Sequence, residues 1–489
     1  MSKIDDEILR QKAYLEQHGL TYHAYIKNLL KDIQEDIANT EYVRYSHIYE
    51  SHGEAAFYKT VDGDMKDLAQ NLLYAFNAND QVEARHLLSS YIHGFGGDFN
   101  TSSLHLLVAK TMNERLEHYV LEFELKESIK KAFPEFFLGF YYHMTATILE
   151  DSSLQDSDAV RTPLSKCMDS ITQYEEAYGK DHIWFLWNCK CEMLSGKIYR
   201  VMGTPEDIVH AIITYRNCIE LLTKENEDHK DVELTILEMD CRTRLSEAMR
   251  QKNDVMLIAG AATDCRIMLD LCSFLPEELK FMKEAEGYLE LSHCYMEEKQ
   301  QLSGVECVAT AEKALFSCMS FLPIRKNTSL VLLWNECILN YVEMRYQNES
   351  IEERAKDTTL LELILWCEEM AHTLDENMHY WKTGKFLADS YRLHALVLSF
   401  LNDQKHSEKD SKHYFDLACD RYYDLLAQHH SPECAYDYVN CLMQENVYSN
   451  AEKIEEIFKK YLLPTKNPKY LNRYDRFKSI TDDGKKDSF

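Results

Sequence analysis

Glycine and proline are scarce, at 15 and 8 of 489 residues. Sheet proteins need many more of both at hairpins and bulges, so the shortage argues against an all-β fold and for helices. No run of eighteen apolar residues occurs, and the N-terminus, MSKIDDEILRQKAYLEQ, lacks a basic segment followed by an apolar one. Neither a transmembrane helix nor a secretory signal is therefore expected, and the expected location is cytoplasmic. Positive charge is also short: 54 Lys and Arg stand against 82 Asp and Glu, a net charge of −28. Such a field opposes binding to phosphate backbones and anionic lipid, so no nucleic acid and no membrane is expected as partner, whereas a basic protein or peptide is compatible.

Chemical signatures are missing too. The sequence holds no His-Glu-x-x-His, no paired Cys-x-x-Cys, no Gly-x-Ser-x-Gly and no kinase motif, the spacings that set ligands or nucleophile and base on one face. No catalytic residue, metal ligand or cofactor is assigned, and a non-enzyme is expected. Cys189 and Cys191 form the one close cysteine pair, without a second pair at zinc spacing.

The length exceeds one compact core, which leaves several domains or an elongated repeat. Prolines fall where helical patterns pause, as in Thr204-Pro205-Glu206-Asp207 and Ser431-Pro432-Glu433, where a hydroxyl can cap and proline fits the first turn; none is expected to interrupt an amphipathic run. Between them the apolar period is helical: Ile208, Ala211, Ile212, Tyr215, Cys218, Ile219 and Leu222 form a stripe of threes and fours. The 31 tyrosines read as filler between helices, with hydroxyls reaching solvent or backbone.

The chain also repeats itself. LCSFLP at 271–276 is echoed by CMSFLP at 318–323, and cysteine recurs at Cys167, Cys218, Cys265, Cys318, Cys367 and Cys419, each on an apolar stripe. A period of about fifty residues accommodates two five-turn helices and their turns. The cysteines read as small, soft residues where helices pack closely.

Tyr288, Leu291, Ser292, Tyr295, Gly304, Val308 and Ala311 follow in order the aromatic, leucine, small, tyrosine, small, bulky and small positions of a tetratricopeptide repeat, and the segment resembles that family. The match is good in this repeat and degenerate elsewhere, and the fifty-residue period departs from the family's 34. The resemblance implies an all-α, right-handed superhelical array of antiparallel helix pairs, and a habit of binding proteins or peptides. By the family's geometry the first helix of each pair lines the concave side, which nominates Glu192, Tyr199, His293, Met296 and Glu297 as partner-binding residues.

The expected organisation is an irregular helical N-terminal region (1–132) with long helices at 65–92 and 102–132, an array of about seven helix pairs (133–463), and a basic, flexible C-terminal tail (464–489). From Leu463 on, seven Lys or Arg stand against four Asp, so the tail either dangles or lies along the acidic array in its groove. HGFGGDFNTSSLHLL (93–107) suggests a phosphate loop, but it follows a helix and brings Asp98 rather than lysine. An inter-helix turn is expected, with Gly94 ending one helix and Thr101, Ser102 or Ser103 capping the next. Residues 15–30, with Gly19 between two short helices, permit a helix-turn-helix reading, although only Lys27 and Lys31 supply charge.

The leading functional reading is a non-catalytic helical-repeat protein, an adaptor, sensor or regulator, that binds a protein or peptide on its concave face. Two alternatives fit the sequence: an acidic inhibitor or immunity protein that neutralises a basic toxin such as a nuclease, and an enzyme with a site between the N-terminal region and the repeats.

Overall fold

The structure, a computed structural model, describes residues 41–95, 103–150, 157–297, 304–321, 328–348, 358–378, 381–400, 408–429 and 431–486. Every regular element among them is helical, and helices pack chiefly on their neighbours in the chain. The fold is that of a tetratricopeptide-like α-solenoid. Contacts divide the described residues into two compact units at Ile198/Tyr199; position 132/133 falls inside the first.

The first unit contains α1 (Glu41–His52), α2 (Glu54–Asn77), α3 (Gln81–Phe95), α4 (Ser103–Glu122), α5 (Lys126–Ala132), α6 (Phe136–Glu150), α7 (Ser157–Tyr178) and most of α8 (His182–Met202). The two long helices expected here are each broken once. Asn79 and Glu124 take left-handed φ of 58° and 52°, and each break closes with the same pair of backbone bonds. Asp80 N–H donates to Ala75 and Asn79 N–H to Phe76; Leu125 N–H donates to Val120 and Glu124 N–H to Leu121. This is the Schellman pattern, usually built on glycine, and neither Asn79 nor Glu124 announces it. Pro163 is a second correction: it lies inside α7, where its missing N–H costs one helical bond in an early turn.

Of the 93–107 segment, Gly94 belongs to α3 and Ser103 begins α4; Gly96, Gly97, Asp98, Thr101 and Ser102 lie outside the described residues, as does the 15–30 segment. The unit's core is aromatic, with Phe136 stacked on Phe140 at 5.5 Å and Phe137 on Tyr141 at 6.1 Å. The tyrosine hydroxyls find carboxylates rather than backbone: Tyr45 donates to Asp64 at 2.8 Å, Tyr119 to Asp62 at 2.9 Å and Tyr141 to Glu117 at 2.7 Å. A sequence so rich in acid offers an O–H donor the stronger, charged acceptor.

The second unit continues with α9 (Pro205–Glu225), α10 (Val232–Gln251), α11 (Val255–Leu271), α12 (Glu277–Glu297), α13 (Gly304–Phe321), α14 (Thr328–Asn348), α15 (Thr358–Met378), α16 (Trp381–Phe400), α17 (Glu408–His429), α18 (Pro432–Asn446), α19 (Ala451–Ile457, prolonged by a π-turn to Leu462) and α20 (Pro468–Lys486). From α6 to α19 they follow one another in chain order as seven pairs, the number expected. The seven apolar residues singled out in α9 are its buried ones. Thr204 and Ser431 cap α9 and α18, with proline in the first turn of each.

Residues 468–486, expected to be flexible, form α20. Tyr470, Tyr474 and Phe477 recur at helical spacing, and Phe477 is buried against Phe458, ring centroids 5.9 Å apart. Three rings provide the apolar face that a count of aliphatics overlooks.

All fifteen cysteines are free and buried. The recurrent ones sit on the second helix of each pair and pack on the first helix of the next. Cys167 meets Cys191, Cys318 meets Cys337 at 3.8 Å, Cys419 meets Cys441 at 3.8 Å, and Cys367 accepts from Ser390 at 3.3 Å. Small side chains at these points let successive pairs approach closely. A thiol-reactive dye is therefore expected to label almost none of the fifteen thiols in the native protein and all of them in guanidinium; rapid native labelling of several would contradict this packing.

Candidate functional site

The second unit carries a line of charged and polar residues along the first helix of each pair. On α10 they are Asp240, Arg244, Glu247 and Arg250; on α12, Lys283, Glu286, Glu290, His293 and Glu297; on α14, Glu336, Asn340 and Glu343; on α16, Lys385, Asp389 and Arg392; on α18, Glu433, Asp437, Asn440 and Gln444. Their spacing of three and four places each set on one face of its helix. The opposite face is apolar and packs into the array.

These side chains bond from one pair to the next. Arg200, at the end of α8, reaches Glu247 at 3.3 Å. Lys283 reaches Asp240 at 2.6 Å, and Arg250 reaches Glu290 at 2.7 Å and Glu297 at 3.1 Å. Asn340 donates to Ser292 at 2.6 Å. Arg392 donates to Glu343 and to Gln444, both at 3.0 Å, and Lys385 pairs with Asp437 at 2.9 Å. Every first helix from α8 to α18 is thus tied to its successor by a polar contact.

Electrostatics show what kind of surface this is. Glu336 is exposed to solvent, yet desolvation pushes its carboxyl up from the usual range. Glu286, at 28% side-chain exposure, is likewise pushed up by desolvation despite Lys283. Desolvation also raises Asp437, to about 6, against the pull of Lys385. Glu290 is opposite in outcome: desolvation opposes its charge, but Arg250 and His293 outweigh it and hold the carboxyl down. Along this face carboxylates outnumber Lys and Arg, so the line is under-neutralised.

The residues nominated from sequence are distributed unevenly. His293 and Glu297 lie on the charged line, where His293 Nδ1 is 3.5 Å from Glu290 and Glu297 pairs with Arg250. Met296 is half-buried beside them. Tyr199 packs its ring against His210 at 5.4 Å. Glu192 belongs to the first unit, half-buried, its carboxyl raised by desolvation. Sequence reasoning passed over Arg250, Glu290, Lys385, Asp389, Arg392 and Asp437. The available signal was a charged residue recurring every three or four positions on helices whose other faces are apolar.

A shallow recess lined by Leu365, Glu368, Glu369, His372, Thr373 and Tyr391 lies on other faces of α15 and α16. Among the described residues no group of three or more His, Cys, Asp or Glu is placed to hold a metal ion, and no helix is long and apolar enough to cross a membrane.

No family model matches the chain, and no curated protein does. Among solved structures it is similar to a Rap protein complexed with competence and sporulation factor, at 14% identity over 82% of this chain and 99% of that one, with a TM-score of 0.41. It is also similar to a circular tandem repeat protein with novel repeat topology (13% identity, 92% and 98% covered, TM-score 0.28) and to yeast Tom70 (12%, 86% and 97%, 0.23). The fold assignment rests on the chain's own helix pairs.

Two consequences of the charged line are measurable. Arg250→Leu leaves Glu290, 7% exposed, as an uncompensated buried charge and should destabilise the protein by about 3–5 kcal/mol, read as a lower thermal midpoint; a change within 0.5 kcal/mol would contradict the pairing. The second consequence concerns Asp437. Its folded pKa of about 6 lies above the ordinary 3.8, so the folded state holds the proton more tightly. The resulting stability is fully present below pH 3.8 and is lost as pH rises through about 6. Asp437→Asn should flatten the stability curve across that window, and an unchanged slope would count against the shift.

Proposed function

We propose that the protein is a non-catalytic helical-repeat protein that binds a protein or peptide on the charged inner face of its second unit. One observation carries the reading: a continuous line of charged and polar groups, bonded from one helix pair to the next, is short of positive charge. Structural ion pairs alone would leave such a line balanced. An excess of desolvated carboxylates is instead suited to a partner that brings cations, because complementary charge speeds encounter and fixes register. The nominated residues Tyr199, His293, Met296 and Glu297 are proposed contacts of this unit, with His293 and Glu297 on the line itself, and Glu192 is a proposed contact on the first unit. The net charge of −28 favours a basic protein or peptide over nucleic acid or an anionic membrane, and a cytoplasmic setting fits the free cysteines. Separate N-terminal (1–132), array (133–463) and C-terminal (464–489) segments are retained as functional divisions.

An acidic inhibitor of a basic toxin is the form of this reading that the under-neutralised face favours as a second choice. Both forms are tested by reversing charge at two of the raised carboxylates, Glu336 and Asp437. A partner captured from the native host by the wild-type protein at low salt should bind the Glu336→Arg, Asp437→Arg double variant at least about tenfold more weakly. Equal binding to both proteins would reject the inner face as the site. One tight basic partner that is lost at high salt would favour the inhibitor form.

A further inference from the structure

The C-terminal helix does more than close the array. After Leu462 the chain reverses at Lys466, whose φ is 56°, and Asn467, 2% exposed, accepts the N–H of Lys469. From Tyr474 onward α20 is anchored by rings: Tyr474 and Phe477 pack on Phe458 at 5.0 and 5.9 Å. Its first turns do something different. Tyr470 packs on Tyr436 of α18 at 5.3 Å, Arg473 donates to Asn440 of α18 at 2.7 Å, and Lys469 lies over the Tyr436 ring at 5.1 Å. The ammonium of Lys469 also stands 3.7 Å from Glu297, at the end of α12.

Tyr436 and Glu297 belong to the last pair and to one three pairs earlier. A single lysine touches both, so this turn spans the charged line from α12 to α18. Burial and the nearby Glu433 and Asp437 push the Tyr470 phenol up. The segment is basic on an acidic face and is aromatic where Tyr436 offers a ring.

The fit is loose at one point. Glu297 is 3.1 Å from Arg250 and 3.7 Å from Lys469, and its second oxygen is buried without a hydrogen-bond partner. A cation placed closer would gain a charge-assisted bond that Lys469 does not make.

We infer that the first two turns of α20 are an intramolecular stand-in for the partner. The partner's docking segment is then basic and aromatic, a cation adjacent to a ring, and it replaces Lys469 and Tyr470 between Tyr436 and Glu297. This rests on the inner face being the binding surface. The resting protein is thus partly self-occupied, and its affinity for partners is reduced by the fraction of time the seat is filled.

The test uses the full chain and a fluorescent peptide of residues 466–480 as probe, followed by anisotropy. Lys469→Glu with Tyr470→Ala empties the seat while keeping the Phe477 anchor, and should bind the peptide roughly tenfold more tightly than wild type. Adding Glu297→Lys to that variant should remove the gain. Lys469→Gln, which changes charge and little else, should shift affinity in the same direction by less, guarding against misfolding of the double variant. Equal peptide affinity in wild type and both seat variants, or no binding by any of them, overturns the inference. The two readings fail separately: native partner lost on Glu336→Arg, Asp437→Arg with no gain in the seat variants rejects only the stand-in. Native partner retained on that double variant rejects the inner face.

Discussion

Arg250 cannot satisfy its charge within its own helix pair; it finds Glu290 and Glu297 on the next one. Arg392 likewise reaches Glu343 on the preceding pair, and Lys385 is shared between Asp389 of its own helix and Asp437 of the next pair, each at 2.9 Å. A half-buried charge left alone is costly, whereas a paired and hydrogen-bonded one is nearly neutral. Stacking is therefore an electrostatic requirement as well as a hydrophobic one. A shift of one pair against the next by a single helical position would separate several of these partners together, so the contacts fix register even where their net contribution to stability is small.

Close approach is the other half of that constraint. Polar bridges of 2.6–3.3 Å between successive first helices need backbones held near one another, and the small residues on the opposite face permit it. Cysteine meets cysteine or serine where α7, α13, α15 and α17 pack on their successors. At Gly384 an added Cβ would come within 2.7 Å of Arg421 and 2.8 Å of Leu425, so this contact admits no side chain without rearrangement. The first unit is stabilised differently, with stacked phenylalanines and tyrosine-to-carboxylate bonds.

Much of this was legible in the sequence, and for physical reasons. Helix content followed from scarce turn residues, pair number from the fifty-residue recurrence, and the caps at Thr204 and Ser431 from their proline and acid neighbours. What was missed depended on cues that composition does not carry. Asn79 and Glu124 adopt a conformation expected of glycine, and α20 is held by aromatic rings in a segment that reads as polar. The candidate site was only partly legible. His293 and Glu297 could be nominated by helix position, but Glu290 and Arg250 become notable only when residues forty apart are brought to 2.7 Å.

Lys466 gives the C-terminal helix an asymmetry. A left-handed lysine costs about 1–2 kcal/mol relative to ordinary helical geometry, and that cost exists only while the chain folds back on itself. Undocking would let Lys466 relax, so relief of this strain offsets part of what the rings and ion pairs contribute to holding α20 in place. The reversal acts as a lightly loaded spring, and it sets the balance between docked and free helix closer to even than the rings and ion pairs alone would set it.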